Sequence, residues 1–285
     1  MAHMGLLPFD YAVCLKKIMV TFPQFWLSCR SADLKRDIVG REETEKVVFS
    51  MRALFKKNVV LWLAMLCGVL LDLALMGVGL LWYPSLLEAG RASTAMTCVV
   101  MLLVYGCVGI GLPIKASQAV MAALWQGTAV GLIIGVIFAV DMSVEDFIDL
   151  GRQASLFSTL GFMLLIFLLF GLAGARGTQK TRHIPLGILG SLWSALIGVL
   201  IALLFGFAVN FLFTQRLEHI LSSDYVSSGM SDPQAFTFFH SLESASSHLM
   251  EAPLIAAVCG TIGALTMQGL ISLRGRGFLF VRPRS

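Results

Sequence analysis

Long stretches without a charged side chain alternate with short segments that hold nearly all the charge. Residues 92–114, 116–140, 153–175, 184–215 and 252–273 contain no Asp, Glu, Lys or Arg, and a sixth run, 58–87, is interrupted only by Asp72. A helix needs roughly 20 apolar residues to cross the hydrocarbon core of a bilayer. Trimmed at their turn residues, the six runs predict transmembrane helices over 58–82, 95–112, 118–140, 155–174, 187–213 and 253–273. The fold class this implies is all-α: a polytopic integral membrane bundle of six transmembrane helices occupying 58–273.

The segments between and around the runs predict three further features. Residues 1–57 read as an N-terminal cytoplasmic or interfacial elbow. Within it, 8–28 mixes Phe9, Tyr11, Phe22, Phe25 and Trp26 with Lys16 and Lys17, the composition of a helix lying among headgroups or packed under the bundle. The stretch 31–57 is more polar, with a partial apolar stripe through Leu34, Ile38, Val47, Met51 and Leu54. Residues 214–252 form the one long segment on the opposite side. There Asp232-Pro233 is a helix-start signature, and Phe236, Phe239, Leu242 and Leu249 come after it at helical spacing. The expectation is an extracytoplasmic amphipathic helix on the outer surface, with Pro253 opening the last span. Residues 274–285 form a basic tail.

Charge then orients the bundle. Ten Lys and Arg precede the first span, from Lys16 to Lys57; Lys115 follows the second; Arg176, Lys180 and Arg182 follow the fourth; Arg274, Arg276, Arg282 and Arg284 follow the sixth. Only Arg91, Arg152 and Arg216 fall on the other side. Lys and Arg accumulate on the cytoplasmic side, so both termini are expected in the cytoplasm. Nothing in the first 30 residues reads as a cleavable signal, because Asp10, Lys16, Lys17 and Pro23 interrupt any apolar core.

Composition agrees: of 285 residues, 57% are hydrophobic and 13% charged, against about 25% charged in a soluble domain. That excludes a soluble enzyme and a disordered tail. The net charge of +4 sits on the flanks of spans without the aromatic interleaving of an RNA-binding surface. The bilayer itself, with anionic headgroups at the cytoplasmic face, is the expected partner, and no nucleic acid. None of the six cysteines has CxxC spacing, and neither Asn58 nor Asn210 begins a glycosylation acceptor. With short loops, this fits a bacterial inner membrane.

Three sets of residues carry candidate chemistry. Asp72 lies about 20 Å into the first span at 1.5 Å per residue, where a charge costs about 2.5–3.5 kcal/mol. Gly68 and Gly79 share its face, which therefore points into the bundle. By depth, Tyr105, Gln126, Thr128 and Thr261 are the polar residues placed to reach it. The two readings are a proton or cation site and a hydrogen-bonded packing device. In the third span Gly127, Gly131 and Gly135 recur every four residues and form one groove, read as a close helix contact or a pore-lining face. On the predicted outer helix His240, Glu243, His248 and Glu251 share an arc of about 140° at 100° per residue, a metal-binding or pH-sensing face at best and a solvated one by default.

The spacing Phe236-x-x-x-His240 and the pair Glu42-Glu43 resemble two motifs of the intramembrane prenyl-endopeptidase family. The two lie on opposite sides of the expected membrane, however, and Val47 stands where that family has a basic residue. No Walker sequence, HExxH or serine–histidine pair within the spans occurs, and no cofactor is implied. The functional reading is a transport-type permease or permease subunit with a buried polar site at Asp72. A non-catalytic subunit or scaffold, docking through 31–57 or 214–252, is the alternative, and a membrane metalloenzyme using the outer His/Glu face is the third.

Overall fold

The computed structural model describes residues 43–88, 91–114, 116–148 and 151–277, with most side chains from Val59 onward. The aromatic segment at 8–28, the start of the polar segment at 31–57, Lys115 and the tail beyond Gly277 lie outside the described residues. The chain divides into two compact units, 1–53 and 54–285. Of the first, only helical backbone from Glu43 is described. Among the described residues, the second contains every apolar segment of membrane-spanning length.

Every regular element among the described residues is helical. α1 (Glu43–Trp82) is followed by a 3-10 turn at Pro84–Leu87. α2 (Ala92–Ile114), α3 (Gln118–Phe147), α4 (Gly151–Thr181) and α5 (Ile184–Leu212) come next. Two short helices, α6 (Thr214–Ile220) and α7 (Ser222–Ser228), lead to α8 (Pro233–Gly277). Six segments are long and apolar enough to cross a membrane: Val59–Trp82, Ala92–Ile114, Gln118–Glu145, Gln153–Thr181, Ile184–Leu212 and Pro233–Leu273. The physical reason for helices throughout is that a backbone without water must satisfy its own N–H and C=O groups. The molecule has the architecture of a multi-pass membrane protein.

α5 is the axis of the bundle. Trp193, Ala195 and Val199 are wholly enclosed, and Ser191, Ser194 and Asn210 are buried beside them. The glycine groove of α3 lies against it. A Cβ on Gly127 would fall on the Gly190 carbonyl, one on Gly131 would sit 2.7 Å from the Ser194 carbonyl, and one on Gly135 would sit 2.7 Å from Ile201 Cβ. The groove therefore serves close backbone approach and is filled by α5. Trp193 Nε1 donates to the Thr128 hydroxyl at 2.9 Å across the same seam. These pairs advance together along both chains, so α3 and α5 run in the same direction. By the same reasoning α8 runs opposite to α5, because Ser191 meets Ala256 and Asn210 meets Thr237. α2 runs with α8, because Cys98 meets Leu242 and Tyr105 meets Leu249.

The sixth span departs from expectation. The predicted boundary at Pro253 is absent, and one helix of 45 residues runs from Pro233 to Gly277 with Pro253 inside it. A proline lacks the N–H that would bond the carbonyl four residues earlier, here that of Leu249. The Tyr105 hydroxyl donates to that carbonyl at 2.7 Å from α2, which replaces the missing bond and lets the helix continue. The segment 233–252 is thus the first half of the last long helix. Its apolar face, Phe238, Leu242, Ala245, Leu249 and Ala252, is buried, and the pairings just given set 237–256 alongside residues 191–210 of α5. The helix start itself lies where the sequence places it, with Asp232 Oδ1 accepting from the amides of Gln234 (2.9 Å) and Ala235 (3.3 Å).

Tyr105→Phe should lower stability by about 1 kcal/mol by orphaning the Leu249 carbonyl. Adding Pro253→Ala, which restores an N–H, should recover most of that loss. Thermal unfolding of the two single variants and the double variant in detergent checks this, and additive losses would refute the role given to Tyr105.

Candidate functional site

Asp72 is positioned by the pitch of α1. Met65, Val69, Asp72, Met76 and Gly79 succeed one another at three- and four-residue steps, which puts them on one face, and all five are buried. Close contacts at the glycines of α1 and α2 identify what that face meets. Met65 lies against Gly109 and Val69 against Gly106 of α2, while Gly68 is close to Leu200 of α5 and Gly79 lies under the ring of Phe238 of α8. The carboxyl is thus held where α1 meets three other helices, and it is 0% exposed.

Neither oxygen of Asp72 has a hydrogen-bond partner. Among the described residues no other carboxyl has both oxygens buried and unbonded. The polar residues that depth alone placed within its reach are engaged elsewhere. Tyr105 serves the Leu249 carbonyl, Thr128 bonds the Leu124 carbonyl and Trp193, and Thr261 bonds the Ala257 carbonyl at 2.6 Å. Gln126 is half-buried on α3 and does not bond Asp72 either. A buried polar atom without a partner costs roughly 1–3 kcal/mol, and more when charged. In this structure Asp72 makes no hydrogen bond that ties one helix to another.

Above Asp72, toward the end of α1, the walls are aromatic. Phe238 is 0% exposed and sits among Phe207, Phe211 and Tyr83, with ring centroids 5.8, 5.7 and 5.9 Å away. Burial, and then the negative charges of Asp232 and Glu218, hold the Tyr83 phenol above its ordinary range. Two carboxylates therefore stand close to the Tyr83 end of the bundle.

The His/Glu set on α8 is placed differently from its predicted setting. His248 is half-buried, its Nδ1 donating to the Ser244 carbonyl at 2.7 Å and its ring edge-on to Phe138 at 5.4 Å. His240, Glu243 and Glu251 are exposed, His240 beside the ring of Phe236. By the register with α5, His248 and Glu251 lie level with the middle of that helix and not beyond its end. No three His, Cys, Asp or Glu side chains gather into a metal site among the described residues.

Sequence reasoning overlooked the polar groups of α5. The Ser191 hydroxyl lies within bonding reach of the Phe170 carbonyl of α4 (3.0 Å) and the Ala256 carbonyl of α8 (2.8 Å). Asn210 Nδ2 donates to the Thr237 carbonyl and to the Ser241 hydroxyl. The signal was present as the small-residue series Gly187, Gly190, Ser191, Ser194 and Gly198 at helical spacing. Phe238 and Tyr83 carried no such signal, because an aromatic residue in an apolar run looks like any other core residue.

The chain matches no protein-family model, no curated protein and no solved structure.

Leucine has the branching of aspartate without its polar atoms, so Asp72→Leu should raise stability by about 1–3 kcal/mol, as expected when an unpaired buried group is removed. Thermal unfolding in detergent reads this, and a marked fall in Tm would mean that the carboxyl has a structural partner.

Proposed function

We propose that this is a transport-type membrane protein, a permease or permease subunit, in which Asp72 takes up and releases a proton or small cation. The observation that carries the reading is the carboxyl itself, enclosed among four apolar helices with both oxygens free of hydrogen bonds. A protein gains nothing in stability from such a group. Ionisable side chains inside membrane spans mark ion pathways and proton relays, and a carboxyl with unused acceptor sites has the donor set a cation or proton requires. The distribution of Lys and Arg supports an orientation with both termini in the cytoplasm of a bacterial inner membrane.

One observation favours a second reading, a subunit that works with a partner. Glu251 is exposed on α8 level with the middle of α5, where hydrocarbon would otherwise meet a carboxylate at a cost of about 2.5–3.5 kcal/mol or more. Another transmembrane segment covering this face would remove that cost. A photo-crosslinking residue at Ser247, on the same face, should then capture a second polypeptide in native membranes, and a clean absence of adducts would set this reading aside.

The primary reading is tested with the purified protein in liposomes holding a pH-sensitive dye and a potassium diffusion potential. Wild-type protein should carry protons inward, and Asp72→Asn should reduce the flux by about 100-fold or more, the loss of a positioned proton acceptor. Equal flux through both proteins would refute it.

A further inference from the structure

We propose that the ring of Phe238 is the plug between Asp72 and the end of the bundle that carries Glu218 and Asp232, and that a cationic ligand, a proton or small cation, reaches Asp72 from that end. The proposal rests on the reading of Asp72 as an ion site.

The geometry runs along α1. Asp72, Met76, Gly79 and Tyr83 fall within an arc of about 60° at 100° per residue, with Gly79 about 10 Å and Tyr83 about 16 Å from Asp72 along the axis. Phe238 lies across Gly79 so closely that a Cβ there would overlap its ring. The ring therefore occupies the interval between Asp72 and Tyr83. It is fully enclosed by Phe207, Phe211 and Tyr83, with no polar atom of its own. Past Tyr83 stand Asp232 and Glu218, whose negative charges both act on the phenol, and one buried oxygen of Glu218 has no hydrogen-bond partner. Carboxylates at a mouth attract cations and repel anions.

The opposite route is closed more thoroughly. From Asp72 toward Val59, the same face of α1 presents Val69, Met65 and Leu61, each 3% exposed or less, with Val69 and Met65 seated against Gly106 and Gly109. Opening that way would separate α1 from α2 over several turns, whereas opening toward Tyr83 displaces two side chains, Met76, 2% exposed, and the ring of Phe238. Glycine at 79 is what lets the ring lie flat on the helix, so Gly79 and Phe238 act as one device.

The test reads access to Asp72 directly and needs no transported substrate. Vesicles are treated with a charged, water-soluble carbodiimide, and modification at residue 72 is quantified by peptide mass, with Asp72→Asn as the blank. Phe238→Ala should raise labelling of Asp72 about ten-fold or more, as removal of a local barrier does, and Phe238→Leu, which spares the fold, should raise it less. Phe170→Ala removes an equally buried ring outside this interval and should leave labelling at the wild-type level. If neither Phe238 variant raises labelling, or if Phe170→Ala raises it as much, the plug is refuted. Increased labelling in a protein that carries no protons would uphold the plug and refute the transport reading, so the two failures are distinct.

Discussion

A polar atom inside an apolar slab has no water to bond, and the construction of this bundle results from that constraint. The spans are helices because helices satisfy their own backbone. The side chains that bring polar atoms inward mostly return them to backbone carbonyls: Ser191 to α4 and α8, Tyr105 to α8, Asn210 to α8. Each such bond also fixes the level of one helix against another. The bond from Tyr105 does most, because it supplies the partner that Pro253 denies to Leu249 and so makes the last span one continuous helix.

Against that background Asp72 is conspicuous. Most serines and threonines within the spans, and Asn210, find partners, with Thr178 an exception, yet the strongest acceptor there is held by Met65, Val69, Met76 and Gly79 on a face where nothing bonds it. Close packing explains the location and not the residue type, since leucine has the same outline. What the structure shows there is an unbonded carboxyl, with the buried ring of Phe238 further along the same face.

The six spans were legible because each contains a long apolar run, broken only by Asp72 in the first, and the first five end within a few residues of their expected positions at most boundaries. The end of α4 is an exception: the helix continues to Thr181, past the basic residues that ended the apolar count. The α3 groove was legible as a contact face from three glycines, though its partner was not, because spacing reveals a surface without saying what fills it. Pro253 misled for a specific reason. Its missing bond is repaired by Tyr105 of α2, far away along the chain, and no local pattern encodes that. The face of His240, Glu243 and Glu251 then looked like a solvated surface, whereas the helix register sets its second half beside the middle of α5. The depth of Asp72 was readable by counting residues. Its lack of a partner was not, because that depends on where four other hydroxyl and amide side chains turn.

A carboxyl kept for a cation must be reachable by water, at least transiently, at position 72. Asp72→Cys in reconstituted vesicles, exposed to a membrane-impermeant cationic thiol reagent, measures this, with the modified peptide identified by mass and wild-type protein as the control for native cysteines. An ion site at this position predicts steady modification at residue 72, faster with the cationic reagent than with an anionic one of the same size. Complete resistance of that cysteine, while a cysteine placed at exposed Ser227, outside the spans, reacts, would contradict it.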